Sequence, residues 1–162
     1  MRIAEIIEKI RAVAAPWAQE HGGTICVAKD PWHAYEIVAA GPRGLLVVIA
    51  YPGETVVDSP RGNPIAQMRV EVTLANGLDL GADTGAGTFR QIGDRASLVD
   101  LIEDLKAACM AVDFSGDSNG TTEPSLSYTG TDTLELANGI RMAAYRLNFS
   151  IARVVLSNPR AV

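Results

Sequence analysis

Leu45 to Tyr51, LLVVIAY, is an unbroken apolar run held between Gly41-Pro42-Arg43-Gly44 and Pro52-Gly53. It is too short to cross a bilayer, and chain-breaking residues close both ends. The run therefore predicts a strand buried on both faces. A sheet with two covered faces needs helices, and the flanking sequence supplies them. TICVA, residues 24–28, predicts a short strand. Asp30-Pro31 then reads as an N-cap with proline at the first helical position, opening a helix over about 31–40. Strand, helix, strand in that order predicts a right-handed parallel crossover from 24–28 to 45–51.

The rest of the chain alternates or repeats at helical spacing. Ile3, Ile6, Ile7, Ile10, Val13, Ala14 and Trp17 mark an amphipathic helix over 2–20, with Glu5 and Lys9 paired on its outside. Pro16 is expected to kink or end it. In 66–76, Met68, Val70, Val72 and Leu74 alternate with Arg69, Glu71 and Thr73, which predicts one core face and one wet face. Ser97 and Asp100 resemble a capping box. The helix they open points Leu98, Leu101, Ile102, Leu105, Cys109 and Val112 inward. SLSYTG and TLELANG read as short strand pieces. A long strand over about 140–156 places Tyr145, Leu147, Phe149 and Ile151 opposite Arg146, Asn148 and Ser150. Ile140 and Met142 break that parity, which predicts a bulge near Ala143-Ala144. The fold class expected is α+β: a mixed, mostly antiparallel sheet packed against two to three helices. Residues 1–162 form a single domain, with long polar loops near 52–64, 77–95 and 115–124.

Composition narrows the function. A net charge of −5 argues against a protein whose main task is neutralising phosphates, so no sequence-specific nucleic-acid partner is expected. The N-terminal stretch carries acidic residues within its apolar run and does not read as a signal peptide. No membrane partner is expected.

The stretch GADTGAGTF, 81–89, contains Asp83-Thr84-Gly85, the tripeptide that carries the catalytic carboxylate of pepsin-type proteases. That chemistry needs the aspartate after two strongly apolar strand residues, in a buried turn stiff enough to hold two acids together. Gly81 and Ala82 precede it here, with Asp79 close by. Ile92-Gly93, the nearest match to the downstream segment of the retroviral type, comes too early and just before a helix. The glycines at 81, 85 and 87 fit neither phosphate-loop pattern, and no lysine follows.

Metal ligation could draw on His21, Cys26 and His33, or on Asp79 and Asp83. The first set has no known ligand spacing, and the second is a pair of solvated loop acids. No metal or cofactor is expected. Cys26 and Cys109 lie in apolar elements and read as buried free thiols. Trp32, Tyr35 and Tyr51 lack the interleaved basic residues of a base-stacking platform. No convincing catalytic set emerges, so the chain reads as a non-enzyme. An aspartic-protease-like enzyme using Asp83, and a small-molecule binding module with a pocket beside 45–51, are the alternatives.

Long polar loops on a small rigid sheet usually serve contact with a partner. Within 77–95, Phe89 and Arg90 are the anchor types that interfaces favour. Asp79, Asp83, Phe89 and Arg90 are therefore the candidate subunit-interface residues. A second reading has Phe89 capping the local core and Arg90 pairing with Asp94.

The order of pieces resembles the small tail-completion or tail-terminator (minor tail) proteins of phages and prophages. IAEIIEKIRA is followed by a strand ending in an aromatic-Pro-Gly turn, LLVVIAYPGE, then by MRVEVTLA. A variable loop, SLVDLIEDLKAACM and SLSYTGTDTLELANGIRMAAYRLNFSI complete the order. The resemblance covers most of the chain and implies an α+β subunit that assembles as a homo-oligomeric ring, commonly a hexamer. Such a ring caps the tail tube, stops its polymerisation and offers a docking face to the head, so tail-tube and head-connector proteins are its implied partners. The implied location is the host cytoplasm during assembly and then the virion tail. No catalytic residue carries over. Loop 77–95 departs from the family, being longer and richer in glycine.

Overall fold

The computed structural model describes residues 1–40, 44–58, 63–77, 97–116, 122–137 and 142–155. Among these residues three helices pack against one five-stranded mixed sheet, the α+β class that the pattern predicts. The helices are α1 (Ile3–Glu20), α2 (Pro31–Ala39) and α3 (Leu98–Met110). The strands are β1 (Thr24–Ala28), β2 (Leu45–Asp58), β3 (Ile65–Gly77), β4 (Ser127–Thr133) and β5 (Met142–Val154), in spatial order β1-β2-β3-β5-β4. β1 and β2 are parallel, as the crossover requires, and the other three pairings are antiparallel.

α1 and α3 cover one face. Ile6, Ile7, Ile10, Ala14 and Ala18 of α1 and Leu98, Leu101, Ile102, Leu105 and Cys109 of α3 bury against Val47, Ile49, Met68, Val70, Val72, Leu74, Leu147, Phe149 and Ile151. α2 sits on the other face over the β1–β2 half. Ala34 and Val38 meet Val48, Ala50, Ala75 and Ala144 there. This is why the 45–50 run is apolar at every position: helices lie on both sides of it.

Local capping follows the sequence. The Asp30 carboxylate accepts from the His33 backbone N–H at 2.7 Å, and Ser97 Oγ accepts from the Asp100 N–H at 3.2 Å. Asp100 does not complete the reciprocal box. Its shorter side chain accepts the Ser97 hydroxyl at 2.6 Å instead of a backbone N–H.

α1 runs through Pro16 to Glu20. A proline near the end of a helix removes one hydrogen bond, and the burial of Ala18 beyond it holds the last turn in place. Val13 lies off the 6/10/14/18 stripe and is exposed. Glu5 and Lys9 do not pair. Glu5 accepts from the Arg2 N–H, and the Lys9 ammonium donates to the Asp113 carbonyl.

Gly22, at φ +69°, ends the helix in a conformation that favours glycine. Gly23 returns its N–H to the Ala18 carbonyl at 2.8 Å. A Cβ on Gly23 would lie 2.9 Å from the Leu45 carbonyl oxygen and 3.2 Å from that of Ala18. Both obstacles are backbone, so Gly23→Ala is expected to cost about 1–3 kcal/mol through overpacking. An unchanged urea midpoint would show that the α1–β2 junction yields freely.

Three sequence expectations for the strands need correction. Residues 52–58, expected within a loop, continue β2. Pro52 and Gly53 sit at a register shift between Ala50 and Gly53, with Gly53 at φ +126°, so the ladder to β3 absorbs them as a bulge. No bulge occurs at Ala143-Ala144, because β3 and β5 pair without a shift from Ile65–Val154 to Gly77–Met142. The parity changes there because Ala144 packs on the α2 side, where a second cluster makes the other face apolar too. The two short strand pieces become one strand, β4, with its own shift between Tyr128 and Gly130, and an irregular stretch at 134–137. The ends of the 115–124 segment are drawn together by a hydrogen bond from the Phe114 N–H to the Pro124 carbonyl at 2.9 Å. No helix among the described residues is long and apolar enough to cross a membrane.

Candidate functional site

Asp79, Asp83, Phe89 and Arg90 all fall within 78–96, outside the described residues, together with Asp83-Thr84-Gly85 and the Arg90–Asp94 pair. The other sequence candidates are placed and do not converge. His21 lies against Trp17 with ring centroids 4.5 Å apart and planes tilted by 32°, its Nδ1 2.8 Å from the Trp17 carbonyl. His33 Nδ1 accepts from the Lys29 N–H, and Cys26 lies half-buried under α2. Among the described residues no three His, Cys, Asp or Glu side chains gather as a metal site. Burial pushes the Cys109 thiol up to about 12 and raises that of Cys26, so neither is held as a thiolate. Tyr51 packs against the main core, and Trp32 stacks on Tyr35 at 5.5 Å.

Beyond α2, the face of the sheet opposite α1 and α3 is polar across β3, β5 and β4. Arg69, Glu71, Asn148, Ser150, Thr131 and Asp132 contribute to a shallow groove of about 570 Å³. Strand alternation produces it, since each buried residue of β3 and β5 has a polar neighbour pointing the other way. Arg146 lies between two carboxylates, 3.7 Å from Glu71 and 3.6 Å from Asp132. Those distances make ion pairs without a good hydrogen bond. Asn148 Nδ2 donates to Asp132 at 2.8 Å and to the Gly130 carbonyl at 3.3 Å. The groove gathers charged, amide and hydroxyl side chains on one open face of the sheet.

Burial is the main influence on Glu71 and raises its carboxyl above the usual value of 4.5, against the opposing pull of Arg146 and Arg69. A carboxyl with a raised folded-state value binds its proton more tightly in the folded chain. Its contribution to stability is therefore greatest below pH 4.5 and is lost as pH rises from there through the raised value. Glu71→Gln should remove that loss. Urea midpoints at pH 4 and pH 7 should shift in favour of the variant only at the higher pH. An equal shift at both would place the effect elsewhere.

The sheet also presents two edges that no described strand covers. β1 pairs only with Leu46–Ala50, so β2 from Gly53 to Asp58 has β3 on one side and no described strand on the other. On the far side, β4 pairs only with β5. Exposed large apolar residues among the described ones lie on these edge strands and on the helices. Val27 lies on β1, Val56 and Val57 on β2, and Tyr128 on β4, while Val13, Trp32 and Met110 lie on helices. Val56 and Val57 are each 58 % exposed, on a strand rich in β-branched residues. The sequence signal for this edge is Thr55-Val56-Val57, which the preceding Pro52-Gly53 makes look like part of a loop. No protein-family model matches the chain, and no curated protein matches it either.

Proposed function

We propose that this chain is a non-enzymatic tail terminator or completion protein of a phage or prophage. Copies associate, as a ring, to cap the tail tube and join it to the head. The observation that carries this reading is the pair of edges, at opposite sides of one sheet, that no described strand covers, each bearing exposed apolar side chains. Two different edges on one subunit make heterologous contacts, which close into rings when the rotation allows. The order of helices and strands, which resembles that family across most of the chain, supports the tail assignment in particular. A net charge of −5 suits a passage through which DNA slides without adhering.

Native mass spectrometry and light scattering of the full chain, from micromolar to millimolar, test the reading. A closed oligomer that grows with concentration is the expected result, as is its binding to the end of an assembled tail tube. A monomer throughout, with and without tube protein, would overturn it.

A further inference from the structure

β1 and β4 are the two end strands of the sheet, and neither has a described strand on its outer side. The strand registers set them level with each other. Ile25, Val47, Leu74, Tyr145 and Thr133 lie in one row across the sheet, and Val27, Ile49, Val72, Leu147 and Thr131 lie in another. We infer that β4 of one copy pairs with β1 of the next, antiparallel, with Thr131 opposite Val27 and Thr133 opposite Ile25. This deepens the assembly reading above and rests on it.

Direction follows from the topology. β1 runs with β2, and three antiparallel pairings separate β2 from β4, so β4 runs opposite to β1. Copies set side by side, with corresponding strands pointing the same way, bring the two edges together antiparallel and need no slip along the strands.

The phase of the hydrogen bonds agrees. Successive residues of a strand turn their backbone groups alternately to one side and the other. The Leu134 N–H donates to the Ala144 carbonyl at 2.9 Å, and the Val155 N–H to the Pro64 carbonyl at 2.8 Å. Even-numbered residues of β5 therefore face β4, and odd-numbered ones face β3. Counted outward along the registers, Thr131 and Thr133 turn their backbone groups away from β5, and Ile25 and Val27 turn theirs away from β2. The rows thus bring together residues that both point outward, and two such pairs exchange about four hydrogen bonds. The parallel pairing of β1 with β2 sets this match, since an antiparallel one would turn β1 inward at the same rows.

The side chains agree as well. Both rows lie on the face that α1 and α3 cover, where Val47, Ile49, Val72, Leu74 and Leu147 are core. Val27, 43 % exposed at the end of its row, gains a second β-branched residue, Thr131, as its neighbour. The helix layer runs on too, because α1 packs against β1 and β2 while α3 reaches β4. β1 carries neither charge nor proline, the usual shields of an edge, and the register shift of β4 falls before the stretch that pairs. Ile25–Ala28 against Gly130–Thr133 is far short of the roughly 20–30 residues a side of a stable interface. The joint persists where each copy makes it at both edges.

Two measurements on the full chain decide the matter. Val27→Lys puts a charge into the joint, and Thr131→Pro removes an N–H that points away from β5 and leaves that ladder intact. With circular dichroism unchanged, each should weaken self-association by about tenfold or more. In a Cys26→Ala background, a Val27→Cys protein mixed with a Thr131→Cys protein should be joined by a short bismaleimide, and neither alone should be. Cys109 is buried and stays silent. Wild-type association in either folded variant, no cross-link in the mixture, or a cross-link of one protein to itself would overturn the joint while leaving an oligomeric tail protein intact. Cross-linking as expected, with no binding to tail tubes, would instead overturn the tail assignment and leave the joint standing.

Discussion

Phe149→Ala is expected to destabilise the chain by about 3–5 kcal/mol, the usual cost of emptying a buried phenylalanine site. Phe149 is 1 % exposed on β5, a strand paired on both sides. It faces Val70 across the ladder and packs edge-on with Tyr128 at 5.8 Å. The helices above it and the strands beside it are fixed by the same core, so the site cannot collapse around the missing ring. Against a total stability of roughly 5–15 kcal/mol, that is about a fifth or more of the margin. The urea midpoint should fall steeply with the slope of the transition unchanged. A loss below ~1 kcal/mol would mean that the ring is not part of the core. Val56→Ala, on the exposed edge, should by contrast stay within ~0.5 kcal/mol.

The second large effect belongs to the ion pair of Glu54 and Arg153. Arg153 Nε donates to Glu54 Oε2 and Nη2 to Oε1, both at 2.9 Å, a two-pronged geometry. The side chains are only 10 % and 22 % exposed for Arg153 and Glu54 respectively. Glu54→Ala leaves a guanidinium largely out of water with its fork unfilled, and removing one partner of a buried pair costs about 3–5 kcal/mol. Residual exposure of Glu54 lets some water in and favours the lower end. Replacing both partners, Glu54→Leu with Arg153→Met, should recover most of the loss, because an apolar pair leaves no stranded charge. If the double variant is as unstable as Glu54→Ala, the cost comes from lost packing and the charge argument fails.

These two sites differ in how far the sequence announces them. Phe149 was legible, because Tyr145, Leu147, Phe149 and Ile151 alternate with polar residues and only one face of β5 could be core. The alternation of Met68, Val70, Val72 and Leu74 was legible for the same reason. Nothing near Glu54 in sequence points to Arg153, since the partners are 99 residues apart and meet only because β5 lies beside β3 and β3 beside β2. Thr73 misled in the same way: it reads as solvent-facing, yet it is 3 % exposed because α2 extends its cover over that face. Pro52-Gly53 read as a loop because a bulge inside a ladder uses the same residues as a turn. The four candidate interface residues of 78–96 stay where the sequence left them, as candidates. The surface offered to neighbouring copies is instead the pair of sheet edges that no described strand covers.

Caps and faces were written locally. Asp30 reaches a backbone N–H three residues on, as does Ser97, and a strand sorts its side chains by simple alternation. Interactions of that span are carried by neighbouring letters and survive any arrangement of the whole. The strand order β1-β2-β3-β5-β4, the second apolar cluster under α2 and the step beyond Ala28 have no local origin. An edge exists only because no other strand lies beside it, and that is a property of the assembled sheet, which no single stretch of residues can carry.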